Sequence, residues 1–266
     1  MENLALSQCA VLPLRGSDNH ASEMVSQLLF GEPVQVLEQK GTWARVKVID
    51  DSYEGWVDQK QLIALPGYTQ ETLPRWIHIL DCPAPVRFWS ASGIRPMRLP
   101  TGGRLPADPE GKKIEFPSQW PFQIQGLPGD VSWVSDTKSG AASVFDYMGM
   151  YEGSPYLWGG RSTCGIDCSG FTQMVLRFWT GKKLPRDAWQ QEMEGEKITW
   201  DMRQEGDMVF FNKGEGKVTH VGIVSGTEEI FHAFGWVRKD TLTPEGILNR
   251  ESGEMTHRIV SIRRNL

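Results

Sequence analysis

Cysteine is scarce in this chain: four among 266 residues, at Cys9, Cys82, Cys164 and Cys168. They are too few and too scattered for a disulfide framework, and a reducing compartment is the expectation. Long apolar runs are missing as well. No stretch approaches the roughly 18 residues of a membrane helix, so no membrane span is expected. The start, MENLALSQCAVLPLR, has neither a basic leader nor a sustained apolar segment, which reads as no secretory signal and a cytoplasmic protein. Nor is there an excess of basic charge. With 28 Lys and Arg against 33 Asp and Glu, the net charge of −5 argues against a nucleic-acid partner. What is present is a hydrophobic content of 39% and a mean hydropathy of −0.37, enough for a sizeable core in an ordinary soluble chain. The 11 Trp and 16 Pro are numerous, and suggest short strands and a substrate groove with flat walls.

Three segments differ in texture, with expected boundaries at 1–66, 67–137 and 138–266. The first reads as short strands: Cys9-Ala-Val-Leu-Pro-Leu, then PVQVLEQKGTWARVKVID folded as a hairpin about Gly41, then GWVDQKQLIAL. Short strands at this spacing suggest a small barrel. Residues Leu28 to Leu62 resemble a bacterial Src-homology-3-like domain. The second segment alternates short apolar pieces with turn dipeptides such as Gly102-Gly103, and reads as a second, degenerate barrel or a linker domain. The third changes to helices followed by strands. SGAASVFDYMGMYEG reads as a helix, and GDMVFF, HVGIVSG, EIFHAFG and HRIVSIRR as strands, an α+β signature.

The segment YLWGGRSTCGIDCSGFTQMVLRFW, Tyr156 to Trp179, organises the third part. Phe171, Met174, Val175, Phe178 and Trp179 repeat as one buried helical face behind Cys168. Asp167 reads as the N-cap, and Gly181 with Pro185 as the stop. A thiol on a first helical turn meets unpaired N–H groups and the positive end of the dipole, which is expected to favour thiolate. An isolated cysteine is ordinarily a small buried space-filler. The glycines, the cap and two downstream histidines argue otherwise here.

His220 opens one expected strand and His232 lies on the next, so a tight turn near Gly226 brings the two imidazoles together. Gly222 is expected to leave room for the helix that carries the thiol. Acid–base requirements then make Cys168 the nucleophile, His220 the base that takes its proton, and His232 the group that orients His220.

GIDCSGF, HVGIV and the histidine of IFHAFG resemble, in order, the NlpC-type cell-wall cysteine peptidases, whose core is papain-like. The resemblance spans roughly residues 139–266 and puts Cys168, His220 and His232 at the catalytic positions. With the preceding Src-homology-3-like region, the chain is similar to the subgroup that acts on free murein peptides with L-Ala at the amino end. The resemblance implies cleavage between γ-D-Glu and L-Lys or meso-diaminopimelate, with release of L-Ala-γ-D-Glu. It implies a small peptide as the partner, a monomeric enzyme, and no cofactor or metal. It also marks Trp158 as a groove wall, Asp167, Ser169 and Asp187 as substrate contacts, and the Cys168 N–H as an oxyanion donor. Glu23 and Trp56 are the candidates for receiving the substrate amine; the family more often has Tyr at the second position.

Three other readings compete. Cys164, Cys168, His220 and His232 invite zinc, but the histidines stand far outside the usual spacing of about three to five residues. Cys164 is then inert or forms a reversible disulfide with Cys168. A wall-binding protein with a dead papain-like part would show damage in the triad, and none is visible. An amidase or acyltransferase would use the same thiol and imidazole.

Overall fold

The computed structural model describes residues 3–91, 93–135, 143–214 and 216–265. The chain divides into two compact units, Met1–Lys138 and Ser139–Leu266.

The first unit is all β apart from single helical turns. Strands β1 (Leu4–Ser7), β2 (Val11–Arg15), β3 (Met24–Leu29), β4 (Pro33–Lys40), β5 (Trp43–Val48), β6 (Glu54–Asp58) and β7 (Leu62–Ala64) form one sheet in the order β3-β2-β6-β5-β4-β1-β7. The β4–β5 hairpin turns at Gly41, whose φ of 58° favours glycine. Alternation along these strands turns Leu12, Leu14, Val34, Ala44, Val46 and Val57 inward to a buried core. The opening strand is shorter than expected and starts at Val11, because β1 precedes it and pairs with both β4 and β7.

Residues 67–135 add β8 (Arg75–Asp81), β9 (Val86–Ser90), β10 (Gly93–Met97), β11 (Arg104–Ala107), β12 (Phe122–Gln125) and β13 (Ser132–Ser135). These make two three-stranded sheets, β10-β9-β12 and β11-β8-β13. Their aromatic core of Trp76, Phe88, Trp120 and Phe122 also takes in Leu4, Leu6 and Phe30 of the first sheet. Buried Arg104 ties the two parts together, 2.7 Å from Glu32 and 2.5 Å from Asp50. A buried cation needs such compensation, since desolvation otherwise outweighs the attraction.

The second unit is α+β. Ser139–Ala142 of the expected first helix lie outside the described residues, and its described part is the short α1 (Val144–Gly149), capped by Ser143. A small hairpin, β14 (Arg161–Ser162) and β15 (Gly165–Ile166), leads into α2 (Cys168–Thr180) and the single turn α3 (Ala188–Gln191). A seven-stranded antiparallel sheet follows. It comprises β16 (Glu196–Ile198), β17 (Met208–Asn212), β18 (His220–Gly226), β19 (Glu229–Phe234), β20 (Trp236–Leu242), β21 (Gly246–Leu248) and β22 (Met255–Arg264), ordered β16-β22-β17-β18-β19-β20-β21. The four expected strands are present. The sequence reading missed β16, β20 and β21.

Helix α2 corrects the expected single buried face. Residues Cys168 to Phe178 are buried all round, Thr172, Gln173 and Arg177 included. The reason is that residues 184–191 cover the polar side: Thr172 Oγ1 donates to Gln191 Oε1 at 2.6 Å, and Gln173 Nε2 to the Leu184 carbonyl at 2.9 Å. The helix ends at Gly181, which adopts φ 74°.

Candidate active site

Cys168 is held at the tip of α2 by a buried polar knot. Asp167 Oδ1 caps the helix by accepting from the Gly170 N–H at 2.7 Å, and Oδ2 accepts from the Gly159 N–H at 2.9 Å. Arg186 grips the same carboxylate at 2.6 and 3.0 Å and donates to Ser169 Oγ at 2.9 Å. Gly170 is required, because a Cβ there would collide with the Gly160 carbonyl. The Val221 N–H donates to the Cys168 sulfur, which seats the thiol against the start of β18.

In β18 and β19, Gly222 faces His232 and Gly226 faces Glu229, the register of the expected tight turn. It leaves His220 Nε2 2.8 Å from His232 Nδ1, both rings being buried. His232 Nε2 continues to Asp240 Oδ2 at 3.0 Å. Gly222 does not make room for the helix. A Cβ there would lie 2.8 Å from Ile230 Cδ1 and 2.9 Å from the Phe231 carbonyl, so the neighbouring strand occupies that space.

The electrostatics also depart from the expected thiolate. Burial first, then Asp167, push the Cys168 thiol up to about 12, against the lowering effects of the Val221 N–H, Arg186 and the Ser169 N–H. Desolvation thus outweighs the helix terminus. Burial, then His257 and His232, drive His220 well below its ordinary value. Both shifts favour the neutral forms, the thiol at Cys168 and the imidazole at His220.

A cleft of about 480 Å3 opens over His220 and is lined by Tyr156, Trp158, Thr219, Phe234 and His257 among others. Trp158 stands 60% exposed on its wall. Burial first, and then the Asp167 carboxylate, push the Tyr156 phenol above its ordinary value.

Of the expected site residues, the structure brings Cys168 and Trp158 into the same unit as the His220–His232 pair. Asp167 and Ser169, expected to contact substrate, are buried and hydrogen-bonded to each other and to Arg186. Asp187 is the N-cap of α3. Glu23 and Trp56 belong to the first unit: Glu23 is exposed just before β3, and Trp56 lies in β6 opposite Arg15 and Arg45. Cys164 is exposed while Cys168 is buried, and among the described residues no group of three or more His, Cys, Asp or Glu is arranged to hold a metal.

Asp240, His257 and Arg186 were missed. Asp240 lies on β20, which Gly235 joins to β19 in a hairpin that the alternation of WVRKDTL would have revealed. His257 stands in a strand that was anticipated, and stacks on His220 with ring centroids 4.1 Å apart. Nothing in the spacing of LPRD singles out Arg186.

A thiol on the first turn of a helix, packed on antiparallel strands that supply a histidine pair, defines a papain-like cysteine peptidase. The chain belongs to the NlpC/P60 family and is a cell-wall peptidase. That family matches residues 153–259, and the bacterial dipeptidyl-peptidase Sh3 domain matches residues 14–62. The γ-D-glutamyl-L-lysine dipeptidyl-peptidase of Bacillus subtilis (strain 168) is 31% identical over 224 residues, covering 78% of this chain and 71% of that one. The protein of the same name from Bacillus cereus is 27% identical over 228 residues, covering 80% and 68%. An NlpC/P60 family crystal structure from Bacillus cereus superposes with a TM-score of 0.75 at 20% identity, covering 98% of this chain and 99% of the other, so the two share a fold.

Proposed function

We propose that this enzyme hydrolyses the bond between γ-D-Glu and the following diamino acid, L-Lys or meso-diaminopimelate, in free murein peptides that begin with L-Ala. The product is L-Ala-γ-D-Glu, and the role is peptidoglycan turnover or recycling. The reading rests on Cys168 at the tip of α2, held by the Val221 N–H against the strand that opens with His220, and on the hydrogen bond from His220 to His232. The two Bacillus relatives, whose names specify γ-D-glutamyl-L-lysine dipeptidyl-peptidase activity, support the choice of bond.

In this mechanism His220 takes the Cys168 proton as sulfur attacks the γ-glutamyl carbonyl. The Cys168 N–H supports the oxyanion. His220 then protonates the departing amine, leaving a thioester. Water, deprotonated by His220, opens the thioester and returns the thiol. His232 holds the base in position. Trp158 forms a wall for the peptide. Comparing L-Ala-γ-D-Glu-L-Lys with its N-acetyl form tests amine recognition: the acetyl peptide should lose most of its turnover, and equal rates would overturn that part of the reading.

A further inference from the structure

Asp240 has no part in the mechanism above, yet it is the endpoint of the hydrogen-bond chain that starts at His220. It is fully buried on β20, and its two oxygens have different partners. Oδ2 faces His232 Nε2 at 3.0 Å. Oδ1 accepts from Arg238 Nη2 at 3.2 Å and from the Arg250 backbone N–H at 2.9 Å. Arg238 Nε also lies 3.1 Å from Oδ2, and Glu251 holds the other end of that guanidinium at 3.0 Å. The alternation of β19 and β20 places His232, Arg238 and Asp240 on one face of the sheet.

We propose that Asp240 is a positioning residue for catalysis, acting through His232 to set which nitrogen of His220 is free to accept the thiol proton. An ionised carboxylate only accepts hydrogen bonds. It therefore requires the His232 proton on Nε2, and a neutral ring protonated there has a bare Nδ1. That bare nitrogen is 2.8 Å from His220 Nε2, which must be the donor. Neutral His220 thus carries its proton on Nε2 and offers Nδ1 as the base. When His220 accepts the thiol proton, its positive charge is met by the same chain, ending on a fixed negative charge. The logic is that of the serine triad, where the carboxylate selects the tautomer, with one imidazole interposed. The proposal rests on the roles given above to Cys168 and His220.

Arg238 Nη2 and the Arg250 N–H supply the discriminating variant. Both donate to Oδ1, whereas Arg238 Nε, though near Oδ2, makes no hydrogen bond among the described residues, so in Asp240→Asn the amide oxygen turns to the two donors and the NH2 group faces His232. His232 Nε2 must then accept, its proton moves to Nδ1, and His220 Nε2 must accept in turn. The proton of His220 is left on Nδ1, where the base is needed. Asp240→Ala removes the anchor and leaves His232 free to choose. A carboxylate that merely paired with Arg238 would give the opposite ranking, with the isosteric Asn milder than Ala.

The test uses the full chain. Long-range proton–nitrogen spectra of the nitrogen-15-labelled wild-type protein near neutral pH, assigned with single His→Gln variants, should show both His220 and His232 protonated at Nε2. In Asp240→Asn both protons should be at Nδ1, with kcat lowered at least about 10- to 100-fold and KM little changed, and with Asn worse than Ala. An Nδ1 proton on either ring of the wild-type protein would overturn the proposal, whatever the folding of the variants. So would an Asn variant that works within threefold of wild type. The tautomers are read without substrate. A protein that holds both rings as described but leaves murein peptides uncut overturns the substrate reading alone.

Discussion

Arg186 and Asp167 form a two-pronged ion pair at 2.6 and 3.0 Å, with side chains only 1% and 7% exposed, directly beneath the nucleophile. Taking two charges out of water is costly, and removing one leaves the other uncompensated. Arg186→Ala should destabilise the catalytic unit by about 3–5 kcal/mol, and Arg186→Met combined with Asp167→Asn should recover much of that loss. Urea unfolding followed by near-ultraviolet circular dichroism checks both. A loss within experimental error for Arg186→Ala would show the pair to be dispensable.

The reactivity of the thiol follows from its burial. With the Cys168 thiol pushed up to about 12 and His220 well below its ordinary value, the resting enzyme holds little thiolate at neutral pH. Alkylation by iodoacetamide, followed at Cys168 by peptide mapping, should accelerate by about tenfold per pH unit between about pH 7 and 10, because thiolate is the reacting species. A rate already on a plateau at neutral pH would mean a preformed thiolate.

Acid should weaken the second unit through its histidines. Burial lowers His220, His232 and His257, the last to about 4. Below about pH 6.5 the unfolded chain binds protons that these buried rings refuse, so stability is fully present above that pH and falls as pH drops toward each folded value. Each histidine contributes up to about 1.4 kcal/mol per pH unit in its window. His257→Gln should therefore show a shallower loss of stability between about pH 6.5 and 4.5 than wild type. Parallel curves would deny His257 this role.

Trp158 stands 60% exposed on the cleft wall, where the proposed function has it pack against the bound peptide. Trp158→Ala should raise KM by about five- to tenfold, with the melting temperature unchanged. An unchanged KM would remove Trp158 from the peptide's path.

The catalytic elements were legible in the sequence because each advertises itself locally. The Asp167 cap, the Gly181 stop and the apolar spacing mark α2, while strand alternation with a tight turn puts His220 beside His232. Long-range pairing is what the sequence hid. Asp240 reaches His232 only through the β19–β20 register, Arg186 reaches Asp167 across a covering segment, and His257 stacks on His220 from the last strand. The burial that pushes the Cys168 thiol up was hidden for the same reason. A helix tip is visible in sequence, but the depth at which it is buried depends on everything packed around it.

Mass spectrometry of the products from L-Ala-γ-D-Glu-L-Lys-D-Ala and its meso-diaminopimelate counterpart tests the central claim most directly. Wild-type enzyme should release L-Ala-γ-D-Glu together with the diamino acid dipeptide, and Cys168→Ala should release nothing while remaining folded. Cleavage at another bond, or undiminished cleavage by Cys168→Ala, would contradict the account.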